Sequence, residues 1–147
     1  MTHPQALIVF SLTAGQLHFD VGRQPMDIGQ GLDFIVAQSV RFGRIDALAI
    51  EHMIYVIEEL LERLKLDYHT QRTAQTADES MRQLSQLFFN GVQRIDRVML
   101  EHAFNECVER LEYYAAKAGN DFKLLAYFVL IREMMHHLNV TEIYLNN

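Results

Sequence analysis

Apolar residues recur along this chain with two different periods, and the change from one to the other divides it into segments. Over Gln16–Val21 the apolar Leu17, Phe19 and Val21 alternate with Gln16, His18 and Asp20, the period of a half-buried strand. The preceding run, Ala6–Leu12, is joined to it by Thr13-Ala14-Gly15, so the two form a predicted β-hairpin. The stretch Val21–Gly31 carries Gly22, Pro25, Gly29 and Gly31 and is expected to be a connection.

From Leu32 the period lengthens to that of helices. One is predicted over Leu32–Phe42, stopped by Gly43, and a second from about Ala47 to Leu66. The segment Asp67–Ser80, DYHTQRTAQTADES, is almost wholly polar and is expected to be a linker. Thr76 and Glu79 have capping-box spacing ahead of a helix carrying Met81, Leu84, Leu87 and Phe88, and Asn90-Gly91 is a left-handed stop. A fourth helix is expected to run to about Ala118. Gly119-Asn120 ends it and Asp121 caps a fifth, Phe122–Leu138, which is apolar on nearly every side and therefore predicted to be buried. Val140–Leu145 has the composition to add a strand.

The second and fourth helices open on one phrase. Arg44–His52 reads RIDALAIEH and Arg94–His102 reads RIDRVMLEH. With Asp46 and Asp96 as N-caps, Ile45 and Ile95 precede the cap while Ile50 and Leu100 take the fourth helical position, the two partners of a hydrophobic staple. Ile50, Ile54, Ile57, Leu61 and Leu64 then form one heptad seam, and Leu100, Phe104, Cys107, Leu111, Tyr114 and Ala118 form another. A duplicated helix–turn–helix unit is one account of the match, and convergence on the same caps and heptads is the other.

The predicted fold is accordingly mainly α. It is a five-helix, bundle-like domain of two αα-hairpins around the buried C-terminal helix, with a small N-terminal β-hairpin. The chain is read as one domain over 1–147. Residues 1–26 are hairpin and connection, 27–66 the first helical half, 67–80 the linker, 81–118 the second half, and 119–147 the buried helix and tail.

Composition narrows the function classes. Half of the 147 residues are apolar or aromatic, enough for a core without metals or disulfides. A formal charge of −6 opposes a nucleic-acid backbone or an anionic membrane as partner. A lone cysteine, Cys107, closes no intramolecular bridge, and the N-terminus lacks a basic n-region, so a cytoplasmic location is expected. The longest apolar run, Leu124–Ile131, falls short of the roughly 18 residues of a membrane span.

Capping leaves the Glu51-His52 and Glu101-His102 pairs unexplained. Histidines on the shoulder of a core usually hydrogen-bond across an interface. A transition-metal site built from His52, His102, Glu133 and His136 is the alternative, because Glu133-x-x-His136 puts a carboxylate and an imidazole on one helical face. Gly29-Gln30-Gly31 lacks the third glycine of a dinucleotide loop, Cys107 lies on a heptad seam, and no serine has a nucleophile-elbow context. Arg44 and Arg94, each beside a capping aspartate, read as local ion pairs. His136-His137 complement the dipole at the end of their helix.

No catalytic constellation stands out, and no cofactor is expected unless the metal site exists. The expected function is a non-enzymatic helical protein–protein interaction module, an adaptor, regulator or chaperone-like partner. A metal- or small-ligand-binding bundle is the second reading. A homodimer is expected, since a short hairpin and broad apolar helix faces call for further cover.

Overall fold

The computed structural model describes residues 6–146. Three strands open the chain: β1 (Leu7–Leu12), β2 (Leu17–Val21) and β3 (Gln24–Ile28). They form an antiparallel meander, with Phe10 opposite Phe19 and Phe19 opposite Met26. Helices α1 (Leu32–Ser39) and α2 (Ala47–Glu62) lead to β4 (Arg72–Thr76), which pairs parallel with β1. Next come α3 (Glu79–Phe88), β5 (Arg94–Asp96), α4 (Arg97–Glu109), α5 (Leu111–Lys117), α6 (Phe122–His137) and β6 (Val140–Leu145). β6 lies parallel to β4 on one side and antiparallel to β5 on the other. The result is a six-stranded mixed sheet in the order β3-β2-β1-β4-β6-β5.

The mainly α, two-hairpin bundle is therefore wrong, and the fold is α/β. The error lies in three short strands. β4 falls within the polar segment read as a linker, yet Arg72, Ala74 and Thr76 are buried while Thr73 and Gln75 alternate to the other face. Hydrogen bonds make that burial tolerable. The Arg72 guanidinium donates to the carbonyls of Asp67 and Leu138, each at 2.9 Å, and the Thr76 hydroxyl donates to the Phe10 carbonyl at 2.9 Å. β3 sits inside the breaker-rich connection, with Pro25 tolerated because β3 is the sheet's edge. β5 is part of the second RID phrase, which does more than open a helix.

Two local readings also change. Thr76 ends β4 and starts no capping box; the N-cap of α3 is Asp78, whose side chain makes no cap bond. The helix expected to reach Ala118 breaks at Arg110, whose φ of −127° and ψ of 48° are not helical, and this separates α4 from α5.

The sheet's covered face carries Ile8, Phe10 and Leu12 of β1, Leu17, Phe19 and Val21 of β2, Ala74 of β4, and Val140 and Ile143 of β6. The helical layer lies on it. Within that layer α6 is enclosed, packing against α1, α2, α3 and α4, and Leu124 to Ile131 are all buried. That enclosure explains its apolar circumference. The opposite sheet face is open, with Leu7, Val9 and Tyr144 each more than a third exposed. There His18 bridges Asp27, at 2.5 Å, and Asp20, at 3.3 Å, and these contacts raise the imidazole's pKa. No helix among the described residues is long and apolar enough to cross a membrane.

Candidate active site

Because β1, β4 and β6 are mutually parallel and β3 runs with them, their carboxyl ends share one edge of the sheet. In open α/β sheets ligands bind in the crevice outside such an edge. Four chain segments meet there: the β1–β2 turn, the start of α1, the β4–α3 junction and the start of α6.

The first two are closed against each other. The amides of Leu32 and Asp33 donate to the carbonyls of Thr13 and Ala14, each at 2.9 Å. Gly31 allows that approach, since a Cβ there would lie 2.4 Å from both the Thr13 carbonyl oxygen and the Gln16 nitrogen. The first-turn amides of α1 are thus consumed by the turn, and no anion cradle forms between them.

The β4–α3 junction differs. Asp78 Oδ2 accepts from the Leu12 amide at 3.0 Å and from the Tyr127 hydroxyl at 2.8 Å. Burial and the adjacent Asp78 carboxylate raise the Tyr127 pKa well above the ordinary phenol value, so Tyr127 stays a donor. The Asp78 amide in turn donates to the Thr76 hydroxyl at 3.0 Å. One carboxylate oxygen is thereby fixed by β1 and α6, while Oδ1 accepts no hydrogen bond from the described residues. Asp78 turned this way does not cap α3. By contrast Asp46, Asp96 and Asp121 accept from the amides of Ala49, Met99 and Leu124 at 2.8, 2.9 and 3.1 Å. The α3 N-terminus therefore faces the sheet's carboxyl edge with no side-chain acceptor on its amides.

The four metal candidates read from sequence do not converge. His102 is exposed, His52 is half-buried, and neither joins a ligand group among the described residues. His136 instead bonds Glu101 at 3.0 Å, and Arg132 bonds both Glu101, at 3.1 Å, and Glu133, at 2.7 Å. Burial would push the Glu101 carboxyl up, but the bonds from Arg132 and His136 outweigh it and hold its pKa below the ordinary range. Glu133, 2% exposed, instead shares a group with His137 and Glu58. The i, i+4 spacing of Glu133 and His137 on one helix face was the available signal, and Glu58 carried none. Asp78 was missed because the segment around it read as linker. Cys107 is buried, and burial pushes its thiol up to about 11, which leaves it unreactive. A surface cleft of about 530 Å³, lined by Arg44, Arg110 and Tyr113 among others, includes neither Asp78 nor Glu133.

No family model and no curated protein matches the sequence. Solved structures do match the fold. The Ppx/GppA family member of Aquifex aeolicus superposes with a TM-score of 0.68 at 11% identity, over 96% of this chain and 52% of that one. An exopolyphosphatase-like protein gives 0.69 at 11%, over 97% and 56%. An exopolyphosphatase from Cytophaga hutchinsonii gives 0.62 at 12%, over 98% and 55%. The chain spans about half the length of these structures, and its architecture is a Ppx/GppA-type α/β unit. The expectation of a non-enzymatic helical interaction module, and of a metal-binding helical bundle beside it, falls with the bundle: the helices that suggested both are one layer of a fold seen in enzymes.

Proposed function

We propose that this chain is a unit of a phosphate-ester or phosphoanhydride hydrolase, with its reaction centre at the carboxyl edge of β1 and β4. The observation that carries the reading is the Asp78 carboxylate, anchored through one oxygen and open at the other. Phosphoryl transfer asks little covalent chemistry of a protein and depends on positioning and charge. A fixed carboxylate serves it by orienting a water for in-line attack, and the uncapped α3 amides would face a phosphate oxygen. The likeness to Ppx/GppA structures supports the substrate class.

Charge sets a condition on the substrate. At this edge Lys123 is 3.6 Å from Asp33 and Arg82 is 2.7 Å from Glu79, so each cation has a carboxylate partner. In a chain of net charge −6 a polyanion is expected to enter as its magnesium complex.

Asp78→Asn tests the assignment. The asparagine carbonyl oxygen keeps both acceptor bonds, to Leu12 and Tyr127, while the charge and the second acceptor oxygen are lost. Release of inorganic phosphate from polyphosphate and from a nucleoside tetraphosphate, with magnesium, is expected for the wild type and at least about 100-fold slower for the variant, the scale of losing a positioned base. Wild-type release no faster than the protein-free blank, or equal rates for the two proteins, contradicts the reading.

A further inference from the structure

At the opposite end of the helical layer, the last turn of α6 meets α2. His137 Nε2 lies 3.4 Å from Glu133 Oε1 and 3.5 Å from Glu58 Oε1, and one donor atom from each of the three residues falls within 4.8 Å of the others. Both distances exceed the usual 2.7–3.2 Å of a nitrogen-to-oxygen hydrogen bond. They do match the separation of two ligands on one tetrahedral ion, about 3.4 Å when each metal bond is about 2.1 Å. We infer that Glu58, Glu133 and His137 form a binding site for a divalent transition-metal ion of the zinc type.

Three further observations carry the assignment. The Glu133 side chain is 3% exposed, a burial that an ionised carboxylate tolerates only with strong partners. Arg132 supplies one partner, but it takes the other oxygen, Oε2, at 2.7 Å, and leaves Oε1 directed at His137. The carboxylates also outnumber the guanidinium beside them: Arg132 is shared by Glu101 and Glu133, while Glu58 has the His137 imidazole at 3.5 Å. A divalent cation between Glu58 and Glu133 offsets their charge. Access is open on the imidazole side, because His137 is exposed and borders a cleft of about 180 Å³ that Leu61, Glu62 and Lys65 also line. One imidazole with two carboxylates selects zinc, cobalt or manganese over magnesium and calcium. Arg132 then acts as a positioning residue, holding Glu133 Oε2 so that Oε1 meets the ion.

This inference is independent of Asp78, which lies at the other end of the fold, and its test reads metal binding and not hydrolysis. Untagged chain freed of metal by chelator is titrated with Zn²⁺ by calorimetry and with Co²⁺ by visible absorption. One equivalent is expected to bind, with the d–d bands of tetrahedral cobalt. His137→Gln and Glu58→Gln replace side chains at the helix surface, so both should fold, and each should weaken affinity at least tenfold. His52→Gln, His102→Gln and His136→Gln should titrate as the wild type. No saturable binding by the wild type, unchanged affinity in His137→Gln and Glu58→Gln, or binding that follows His52, His102 or His136 would overturn the assignment.

Discussion

The phrase Arg-Ile-Asp occurs twice, and the fold uses it in two ways. Around Arg44–Asp46 it is a loop that ends in a helix cap: Asp46 accepts from the Ala49 amide, and Arg44, at 3.9 Å from Asp46, is largely exposed. Around Arg94–Asp96 the same letters form strand β5, with Arg94 opposite Tyr144, Ile95 opposite Ile143 and Asp96 opposite Glu142 of β6. Asp96 still caps the helix that follows, through the Met99 amide. The cap is common to both because it needs only residues within three positions of each other. The strand appears in one because there β6 presents an unpaired edge, and Arg94 gains an ion pair with Glu142 to which Arg44 shows no counterpart among the described residues. The two copies also differ at their glutamates. Glu51 is exposed, whereas Glu101 is bound by Arg132 and His136.

The comparison is tested most severely at the isoleucines. Ile95 is fully buried in the sheet, and Ile95→Ala should cost about 2–5 kcal/mol by chemical denaturation, the range for a large-to-small change in a core. Ile45 is 6% exposed in a loop that can relax around the lost atoms, so Ile45→Ala should cost distinctly less. Equal costs would show that pairing with β6 adds nothing to the second copy.

The caps should show the opposite behaviour. Asp46→Ala and Asp96→Ala each remove one side-chain acceptor from a first-turn amide, and each should cost about 0.5–2 kcal/mol. Because the cap is local the two losses should agree closely. A loss several times larger for Asp96 would mean that its place opposite Glu142 in the strand outweighs its role as a cap.

The smallest effect concerns pH. The carboxyl of Glu101 is held below its ordinary range, so its stabilising contribution is full above the unfolded-state value, about 4.3 for glutamate, and is lost as pH falls through the lower folded-state value. Melting temperature measured from pH 6 down to pH 3 should therefore fall less steeply for Glu101→Gln than for the wild type. Parallel curves for wild type and Glu101→Gln would remove the distinction between the two glutamates.

Where a feature rests on neighbours in the chain, it could be read from the residues alone. The β1–β2 hairpin shows in alternation, the enclosed α6 in its apolar circumference, the stop at Asn90-Gly91 in residues suited to φ values of 55° and 77°, and the caps of α2, α4 and α6 in their aspartates. Val140–Leu145 was recognisable as strand material for the same reason. At the candidate sites the i, i+3 spacing pairs Glu133 with His136, whereas in space the Glu133 carboxylate stands beside His137 and Glu58.

What required the tertiary structure is the set of elements whose stability lies in distant partners. β4 is polar in composition and becomes the centre of the sheet because β1 and β6 flank it and because Arg72 and Thr76 find carbonyls at Leu138 and Phe10, each 66 positions away along the chain. β5 is a strand only because β6 lies beside it. The same holds for chemistry: Asp78 acquires its orientation from Leu12 and Tyr127, and Glu58 meets Glu133 and His137 only after α2 lies against α6. Periodicity records which face of an element is buried but not what buries it. The local order of residues therefore determined the caps, the hairpin and the buried helix, while long-range hydrogen bonding and packing decided that the helices would be one layer against a sheet and which carboxylates would stand together.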